Sequence, residues 1–393
     1  MTSTLRTDTD GDVLVVTINR PEVRNAVDGD TARALFDAFR EFDADDGLAA
    51  AVLTGCGQPV DDPGSPVDGL HPCAAAGQII GVFTGRSAAV QSDEGPAAEG
   101  LDTWGLTASG GLRQLTDDGV HTGAVISPDG RSVYQLRSSG RLLGDALEPA
   151  AIIERLDVAT GRVSPVAELP GISDLTVSGD GRRLAAAHRV AAGPDTGLDV
   201  NSVTVIDLAS PATPVTLPRA PDARAGLFSD VTEVALAPDG GRLAYALAIE
   251  VRRGQVVNSL RIRDLSTGAD VVVYTAEGTD FVSDVDWSPD GATIVATIRY
   301  QAAGDTAEAG PRFRTLRIDV ASGRTTPSEG FAQEVSPISS DGGRLLGLAP
   351  ARDAEGGTRG RSLISWDRDQ RLSGRLPVDR AAAALSVASC SYQ

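Results

Sequence analysis

The stretch "VISPDGRSVYQL", residues 125–136, decides the fold of this chain. Alternating apolar and β-branched residues stand on both sides of a short Pro-Asp-Gly segment. Proline fixes φ at a turn position, aspartate can hydrogen-bond its own backbone, and glycine adopts the left-handed conformation. The stretch therefore predicts a β-hairpin with a tight turn.

The same hairpin recurs four more times, for example as "TVSGDGRRLAAA" and "DWSPDGATIVATI", and the successive turn aspartates are 51, 59, 51 and 51 residues apart. A second hairpin such as "LRIRDLSTGADVVVY" follows each one about 25 residues later, so each repeat of about 50 residues holds four strands, which is typical of a β-propeller blade. The predicted blade turns are Asp129-Gly130, Asp180-Gly181, Asp239-Gly240, Asp290-Gly291 and Asp341-Gly342.

The two ends of the repeat region predict one further blade. Residues 101–116 form a second hairpin without an Asp-Gly turn before it, while residues 77–85 and 384–389 each fit a single strand. Sharing these strands would close the ring and remove exposed sheet edges. The predicted fold is mainly β, with a six-bladed β-propeller of four-stranded blades over residues 73–393, preceded by a small β-α-β fragment.

The "SPDG" turns and the hairpins with a "TG" turn resemble those of the TolB-like family of six-bladed propellers. The resemblance implies a periplasmic or cell-surface binding scaffold, in bacteria often a lipoprotein. It also implies an unidentified protein or small-molecule ligand at the propeller face or in its channel. Turn chemistry specifies the fold well and the function poorly, so no catalytic residue and no cofactor is predicted for this region.

Residues 1–55 predict a strand, a helix and a second strand. "VLVVTI" at 13–18 alternates as a strand does, and "LAAAVLTG" at 48–55 reads as a short buried strand. Between them Asp28 or Asp30 can cap a helix that ends at Gly47. The residues expected on one face of that helix are Leu35, Phe36, Phe39 and Phe42.

The run "VTINRPEVRNAVDGDTARALFDAFREF" through "VLTG" resembles the N-terminal segment of the enoyl-CoA hydratase/isomerase (crotonase) family. The resemblance implies that Val23, Arg24 and Ala26 belong to a loop that contacts coenzyme A. The oxyanion-hole segments and the catalytic glutamates of that family have no counterpart after residue 55. We therefore expect an inactive fragment and a chain that is not an enzyme. The competing hypothesis is an enoyl-CoA hydratase or isomerase acting on acyl-CoA thioesters.

The stretch "LAAAVLTGCGQPV", residues 48–60, fits two families at once. Leu53–Cys56 also matches a lipobox with Cys56 as the lipidation candidate, followed by a flexible linker at 56–72. The apolar core before Cys56 is short and follows "DADD", so the chain as given lacks a competent signal peptide. We interpret the chain as a chimera, arising from an assembly error, a recombination or a real fusion, whose propeller belongs outside the cytoplasm on a lipid anchor.

Cys73 and Cys390 are predicted to form a disulfide at the ring closure. Cys390 follows the C-terminal strand and Cys73 precedes the N-terminal strand of the shared blade, where the other blades have an Asp-Gly turn. Such a bond needs an oxidising compartment. The alternative is a pair of unrelated buried thiols.

Composition and charge exclude several classes. The net charge of −19 argues against nucleic acid and anionic membranes as partners, and no apolar run reaches the length of a transmembrane helix. We expect a monomer. The cysteines and histidines show no metal-ligand spacing, so no metal site is predicted. His121 and His188 are interpreted as solvated surface residues, and Asp284 and Asp286 beside Trp287 as ordinary residues of an inner strand.

Overall fold

The structure is a computed structural model of the 393-residue chain. Contacts divide the chain into two compact units, Met1–Asp68 and Gly69–Gln393. The structure describes residues 5–10, 13–18, 27–45, 47–48, 50–55, 78–86, 101–107, 111–143, 149–190, 200–222, 228–252, 254–301, 312–329, 334–337, 345–352, 358–366, 372–378 and 381–387.

The first unit contains a three-stranded sheet and one described helix. The helix α1, Gly29–Asp43, begins at Asp28, whose carboxylate accepts the N–H of Thr31 at 2.9 Å, as the sequence predicts. The sheet order is β1-β2-β3, with an antiparallel first pair and a parallel second pair. Its strands are β1 (Leu5–Asp10), β2 (Val13–Ile18) and β3 (Ala50–Gly55).

Two details of the first unit correct the sequence-based interpretation. Phe36 is 65% exposed, whereas Phe39 and Phe42 pack against the core formed with Leu14 and Val16. The apolar face of the helix is therefore narrower than predicted, because Phe36 lies outside the arc that meets the sheet. The helix also ends at Asp43 with Ala44 as its C-cap, before Gly47.

The second unit consists of four-stranded antiparallel sheets, and five of them are built from four consecutive strands each. The first holds β7 (His121–Ile126), β8 (Ser132–Leu142), β9 (Pro149–Asp157) and β10 (Val163–Pro170); the second holds β11 (Ile172–Val177), β12 (Arg183–Val190), β13 (Val200–Asp207) and β14 (Val215–Thr216). The third holds β15 (Ser229–Leu236), β16 (Arg242–Arg252), β17 (Gln255–Asp264) and β18 (Asp270–Thr275). The fourth holds β19 (Phe281–Trp287), β20 (Thr293–Tyr300), β21 (Arg312–Asp319) and β22 (Thr325–Glu329); the fifth holds β23 (Glu334–Pro337), β24 (Leu345–Arg352), β25 (Thr358–Trp366) and β26 (Leu372–Val378).

A further four-stranded sheet combines the two ends of this unit. Its order is β27-β4-β5-β6, so the last strand of the chain pairs with the first strand of the unit. Val387 lies opposite Gly81 in that antiparallel pair. The strands are β4 (Ile79–Arg86), β5 (Leu101–Thr107), β6 (Leu112–Gln114) and β27 (Ala381–Val387).

The first strands of these sheets contact one another in a cyclic order. Each touches the next along β7, β11, β15, β19, β23 and β27, and β27 touches β7 again. Blades of four antiparallel strands arranged around a common axis define a β-propeller. The propeller arrangement that the sequence predicts is therefore present.

The apolar cores lie between neighbouring blades. Alternating residues of one sheet pack against the facing residues of the next, which follows from the two-residue period of a β-strand. Ile79 and Val82 of the composite sheet meet Ile126 and Val133 of the following blade in one such core. The remaining described cores join successive blades in the same way, and one of them contains Trp287.

The Asp-Gly turns are held by their own side chains. Asp129 accepts the hydroxyl of Ser127 at 2.6 Å and the N–H of Arg131 at 3.0 Å, while Gly130 takes a φ of 68°. The turns at Asp180, Asp239 and Asp290 have the same left-handed glycine and the same carboxylate-to-backbone bond. Their carboxylates thus stabilise the turn itself.

The connections between strands are more uniform in length at one edge of the blades than at the other. We call the edge with the first-to-second strand turns the turn edge; the turns 127–131, 178–182, 237–241 and 288–292 are five residues each, and the connection 338–344 is seven. We call the opposite edge the loop edge. Its second-to-third strand connections, which range from two to fourteen residues, are 87–100, 143–148, 191–199, 253–254, 301–311 and 353–357.

Candidate functional site

A buried polar cluster lies at the loop edge, where the composite sheet meets the next blade. His121 is the first residue of β7, Asp102 is the second residue of β5, and Asp118 lies in the connection 115–120 between β6 and β7. Glu154 lies in the middle of β9 and faces the other side of the imidazole. His121 is 2% exposed and Asp102 is fully buried, so these two side chains belong to the interior, whereas Asp118 is exposed.

The Nδ1 side of His121 faces hydroxyl and carboxylate oxygens. Asp118 Oδ1 lies 3.0 Å from Nδ1, and Thr116 Oγ1 lies 3.4 Å from it. The same Thr116 hydroxyl lies 3.4 Å from Asp102 Oδ1, which also accepts the N–H of Gly119 at 2.8 Å. The loop 115–120 is thus fastened to β5 by the buried Asp102 carboxylate.

The Nε2 side of His121 faces Glu154. The Glu154 Oε2 atom is 4.0 Å away, beyond hydrogen-bond distance, while Glu154 Oε1 accepts Arg137 Nε at 2.8 Å. Within the described part of the chain, His121 Nε2 has no hydrogen-bond partner. Burial lowers the pKa of His121, and Asp118, Glu154 and Asp102 oppose this shift by favouring the cation.

The prediction that both histidines are solvated is wrong. His188, near the end of β12, is also 2% exposed, and its Nε2 lies 2.7 Å from the Thr204 hydroxyl, which in turn bonds Thr216. Burial lowers the pKa of His188, so its neutral form is favoured. The burial of the two histidines was not predictable because each stands near a strand end, where strand alternation no longer indicates which residues are buried.

A second buried network joins strands β16, β17 and β18. Asp270, whose side chain is 0% exposed, accepts Arg263 Nε at 2.7 Å and lies 3.4 Å from Arg261 Nη1. The Tyr245 hydroxyl also donates to Asp270, and the Arg263 guanidinium lies 5.5 Å from the centre of the Tyr245 ring. Arg261 reaches outward to the half-exposed Asp222 at 2.5 Å. These charges neutralise one another, so the network is structural.

An open groove of about 850 Å³ lies among the turns of the turn edge. Its wall includes Arg183, whose Nη1 donates to Gly240 O at 2.8 Å, and Arg242, whose guanidinium lies 4.9 Å from the centre of the Trp287 ring. Asp264 in the same wall accepts the N–H of Ser266 within its own turn. Arg183, Arg242 and Asp264 are thus engaged in turns and blade contacts and are not directed at a ligand.

The residues that the sequence singled out fall into two groups. Asp284, Asp286 and Trp287 lie in strand β19, as the sequence predicts, and the indole Nε1 donates to Ala235 O at 3.0 Å. Among the described residues, no helix is long and apolar enough to span a bilayer. The residues and segment that lie outside the described part are Val23, Arg24, Ala26, Cys56, Cys73, Cys390, Asp341, Gly342 and the linker 56–72.

Comparison with known proteins supports the fold. TolB from Acinetobacter baumannii aligns with a TM-score of 0.55 over 80% of this chain and 68% of its own, at 15% identity. A chain of a nidogen/laminin complex aligns with a TM-score of 0.50 over 79% of this chain and 99% of its own, at 11% identity. A putative TolB from Agrobacterium tumefaciens reaches 0.46 over 80% and 94%, at 15% identity. The likeness to the Acinetobacter baumannii TolB, at 15% identity, shows a TolB-like propeller fold and does not establish a function.

No protein-family model and no curated protein sequence matches this chain. The crotonase resemblance of residues 1–55 and the lipobox at Leu53–Cys56 therefore have no support. We therefore correct the crotonase interpretation, whereas Cys56 lies outside the described residues and its lipidation stays an untested prediction. The strand-helix-strand order of the first unit is real, but it is a common supersecondary unit and does not identify an acyl-CoA enzyme. The comparisons give no evidence for the hydratase or isomerase hypothesis.

Proposed function

We propose that the Gly69–Gln393 unit is a non-catalytic binding module whose recognition surface is the loop edge. The observation that carries this proposal is the contrast between the two edges. Turns of five to seven residues, four of them held by their own aspartates, stabilise the scaffold, whereas the loop-edge connections range from two to fourteen residues in length. Binding residues are disproportionately found on variable loops positioned by a rigid scaffold.

The fold similarity to TolB supports the finer parts of the proposal. A module of the bacterial cell envelope, outside the cytoplasm, with a protein or a small molecule as its ligand, fits both the fold and the net charge of −19. The ring would comprise six blades, with the composite sheet closing it. A monomer suffices for this role, since the ring itself leaves only short strand edges.

The proposed disulfide between Cys73 and Cys390 would reinforce the closure. Strand pairing ends at Val387 opposite Gly81. In the sequence Cys390 follows Val387 by three residues and Cys73 precedes Ile79 by six, and both cysteines lie outside the described residues. A non-reducing peptide map of oxidised protein should contain the joined peptides. Free alkylation of both thiols under the same conditions would refute the bridge.

The binding proposal is tested by exchanging connections on each edge. The purified full chain serves as bait against a bacterial envelope extract and a small-molecule panel. One variant replaces the loop-edge connection 301–311 by an Asn-Gly turn, and a second variant does the same for 191–199. The matched control is a turn-edge exchange, in which the turn 265–269 between a third and a fourth strand receives the sequence of the corresponding turn 320–324. Unchanged circular dichroism and melting temperature confirm that each variant folds.

We expect at least one loop-edge variant to lose the bound partner by tenfold or more and the control to retain it. If only the turn-edge variant loses the bound partner, the recognition surface lies on the turn edge and the proposal is wrong. Steady turnover of crotonyl-CoA above a boiled control would contradict a non-catalytic role.

A further inference from the structure

We propose that Asp102, Asp118 and His121 Nδ1 form a binding site for one divalent transition-metal ion, with Zn²⁺ as the probe of choice. Each residue places one ligand atom within 4.8 Å of the others. An imidazole nitrogen with two carboxylates is a donor set that zinc and its first-row neighbours prefer, whereas calcium and magnesium prefer oxygen alone. The inference does not depend on the proposed binding function.

The first supporting observation is the arrangement of hydrogen-bond donors around Asp102. This carboxylate is fully buried, and its described hydrogen bonds come from neutral groups only: Gly119 N at 2.8 Å, Gln114 Nε2 at 2.8 Å and Thr116 Oγ1 at 3.4 Å. A buried carboxylate is costly unless a cation or a metal compensates it. A second carboxylate, Asp118, lies at the same imidazole and increases the local negative charge.

The second observation is independent and concerns the protons of His121. Asp118 Oδ1 at 3.0 Å from Nδ1 requires the proton on Nδ1 when no cation is bound. A neutral ring then turns the bare lone pair of Nε2 toward the Glu154 carboxylate at 4.0 Å, so two acceptors face each other in the interior. This arrangement explains why Nε2 is unpartnered.

A metal ion on Nδ1 reverses this arrangement. The ring proton moves to Nε2 and points at Glu154 Oε2, and a small approach of the two side chains completes the bond. Histidine ligands of metals regularly donate the other ring N–H to a carboxylate in this way. Glu154 is itself held by Arg137 at 2.8 Å, so its position is fixed from the far side.

The three ligand atoms need to move only a little to bind one metal ion together. Ligand atoms that share one ion of this class lie roughly 3 to 4 Å apart, because each metal–ligand bond is about 2.0 to 2.2 Å. The Asp118 side chain is 52% exposed and can rotate toward the other two ligands without moving the core. Three protein ligands leave a position for Thr116 Oγ1, water or a ligand group.

The test uses the full chain, stripped by chelator and with its cysteines alkylated so that thiols do not bind metal. Zn²⁺ binding is measured by titration calorimetry, and the metal content by mass spectrometry after dialysis. The main variant is Asp118→Asn, whose exposed side chain can change without loss of the fold. The matched control is Asp117→Asn, a neighbouring exposed carboxylate outside the cluster. Glu154→Gln tests the second carboxylate, and circular dichroism checks its folding.

We expect one Zn²⁺ per chain in the wild type and in Asp117→Asn. Asp118→Asn should bind at least 100-fold more weakly, and a folded Glu154→Gln variant roughly 10- to 100-fold more weakly. The ¹⁵N spectrum of the His121 imidazole should show the proton on Nε2 only after Zn²⁺ is added. Absence of stoichiometric binding overturns the proposal. Equal binding by Asp118→Asn also overturns it, because the metal then sits elsewhere.

Discussion

Replacing Asp270 by asparagine removes the one carboxylate that two buried arginines share. Its side chain is fully buried, and it contacts Arg263 at 2.6 Å and Arg261 at 3.4 Å. Breaking a buried ion pair by removing one partner costs about 3 to 5 kcal/mol, because an uncompensated charge remains in the interior. Asparagine keeps one acceptor oxygen and Arg261 keeps Asp222, so we expect the lower end, about 3 kcal/mol.

The matched control is Asp222→Asn. Asp222 contacts the same Arg261 at 2.5 Å, but its side chain is 51% exposed. Ion pairs that water reaches contribute about 1 kcal/mol or less. The two variants remove the same charge from the same arginine and differ in the burial of the carboxylate, so their difference isolates the cost of leaving charge unpaired in the core.

Urea unfolding followed by tryptophan fluorescence measures both variants. All three tryptophans of the chain lie in the Gly69–Gln393 unit, so the signal reports this unit alone. The expected loss of about 3 kcal/mol corresponds to a melting temperature lower by roughly 4 °C for a unit of this size. If Asp270→Asn loses no more stability than Asp222→Asn, the network does not stabilise the blade and the reasoning is refuted.

Two further perturbations probe the blade contacts and the buried histidine. Gly130 and Gly268 both have left-handed φ values, but a Cβ at Gly130 would meet Ile79 O at 2.7 Å whereas one at Gly268 meets nothing within 4 Å. Gly268→Ala should therefore cost about 1 to 2 kcal/mol and Gly130→Ala distinctly more, and equal losses in urea unfolding would argue against the contact with the composite sheet. Because burial lowers the pKa of His188, the unfolded state binds the proton more readily, and stability should fall as the pH drops below about 6.5. His188→Gln should make that decline shallower in chelator-treated protein, and an unchanged slope would contradict a neutral His188 beside Thr204.

Local turn chemistry made the fold predictable. The five blades of consecutive strands each carry an Asp-Gly pair, such as Asp129-Gly130, whose role depends on its immediate neighbours and so can be inferred from sequence. Strand alternation then supplies the interblade cores, and the cyclic contact of β27 with β7 matches the expected sharing of strands between the two ends. The structural likeness to TolB concerns the same propeller architecture.

The candidate site was not predictable in the same way. His121 was noticed, but its partners Asp102 and Glu154 come from strands of two different blades, and only tertiary packing brings them together. Asp102 stands in "LDTWGL", where alternation indicates a strand but not which polar residue is buried. In residues 1–55, "NRPEVRNA" and "VLTG" are patterns too short to identify a family, and no family model matches them.

Hydrogen–deuterium exchange on a complex with the captured partner tests the central claim most directly. The account predicts that the partner slows exchange in the loop-edge connections, such as 115–120 and 301–311, and leaves the turns at 127–131, 178–182, 237–241 and 288–292 unchanged. A footprint on those turns, with the loop-edge connections exchanging as in the free protein, would contradict the account.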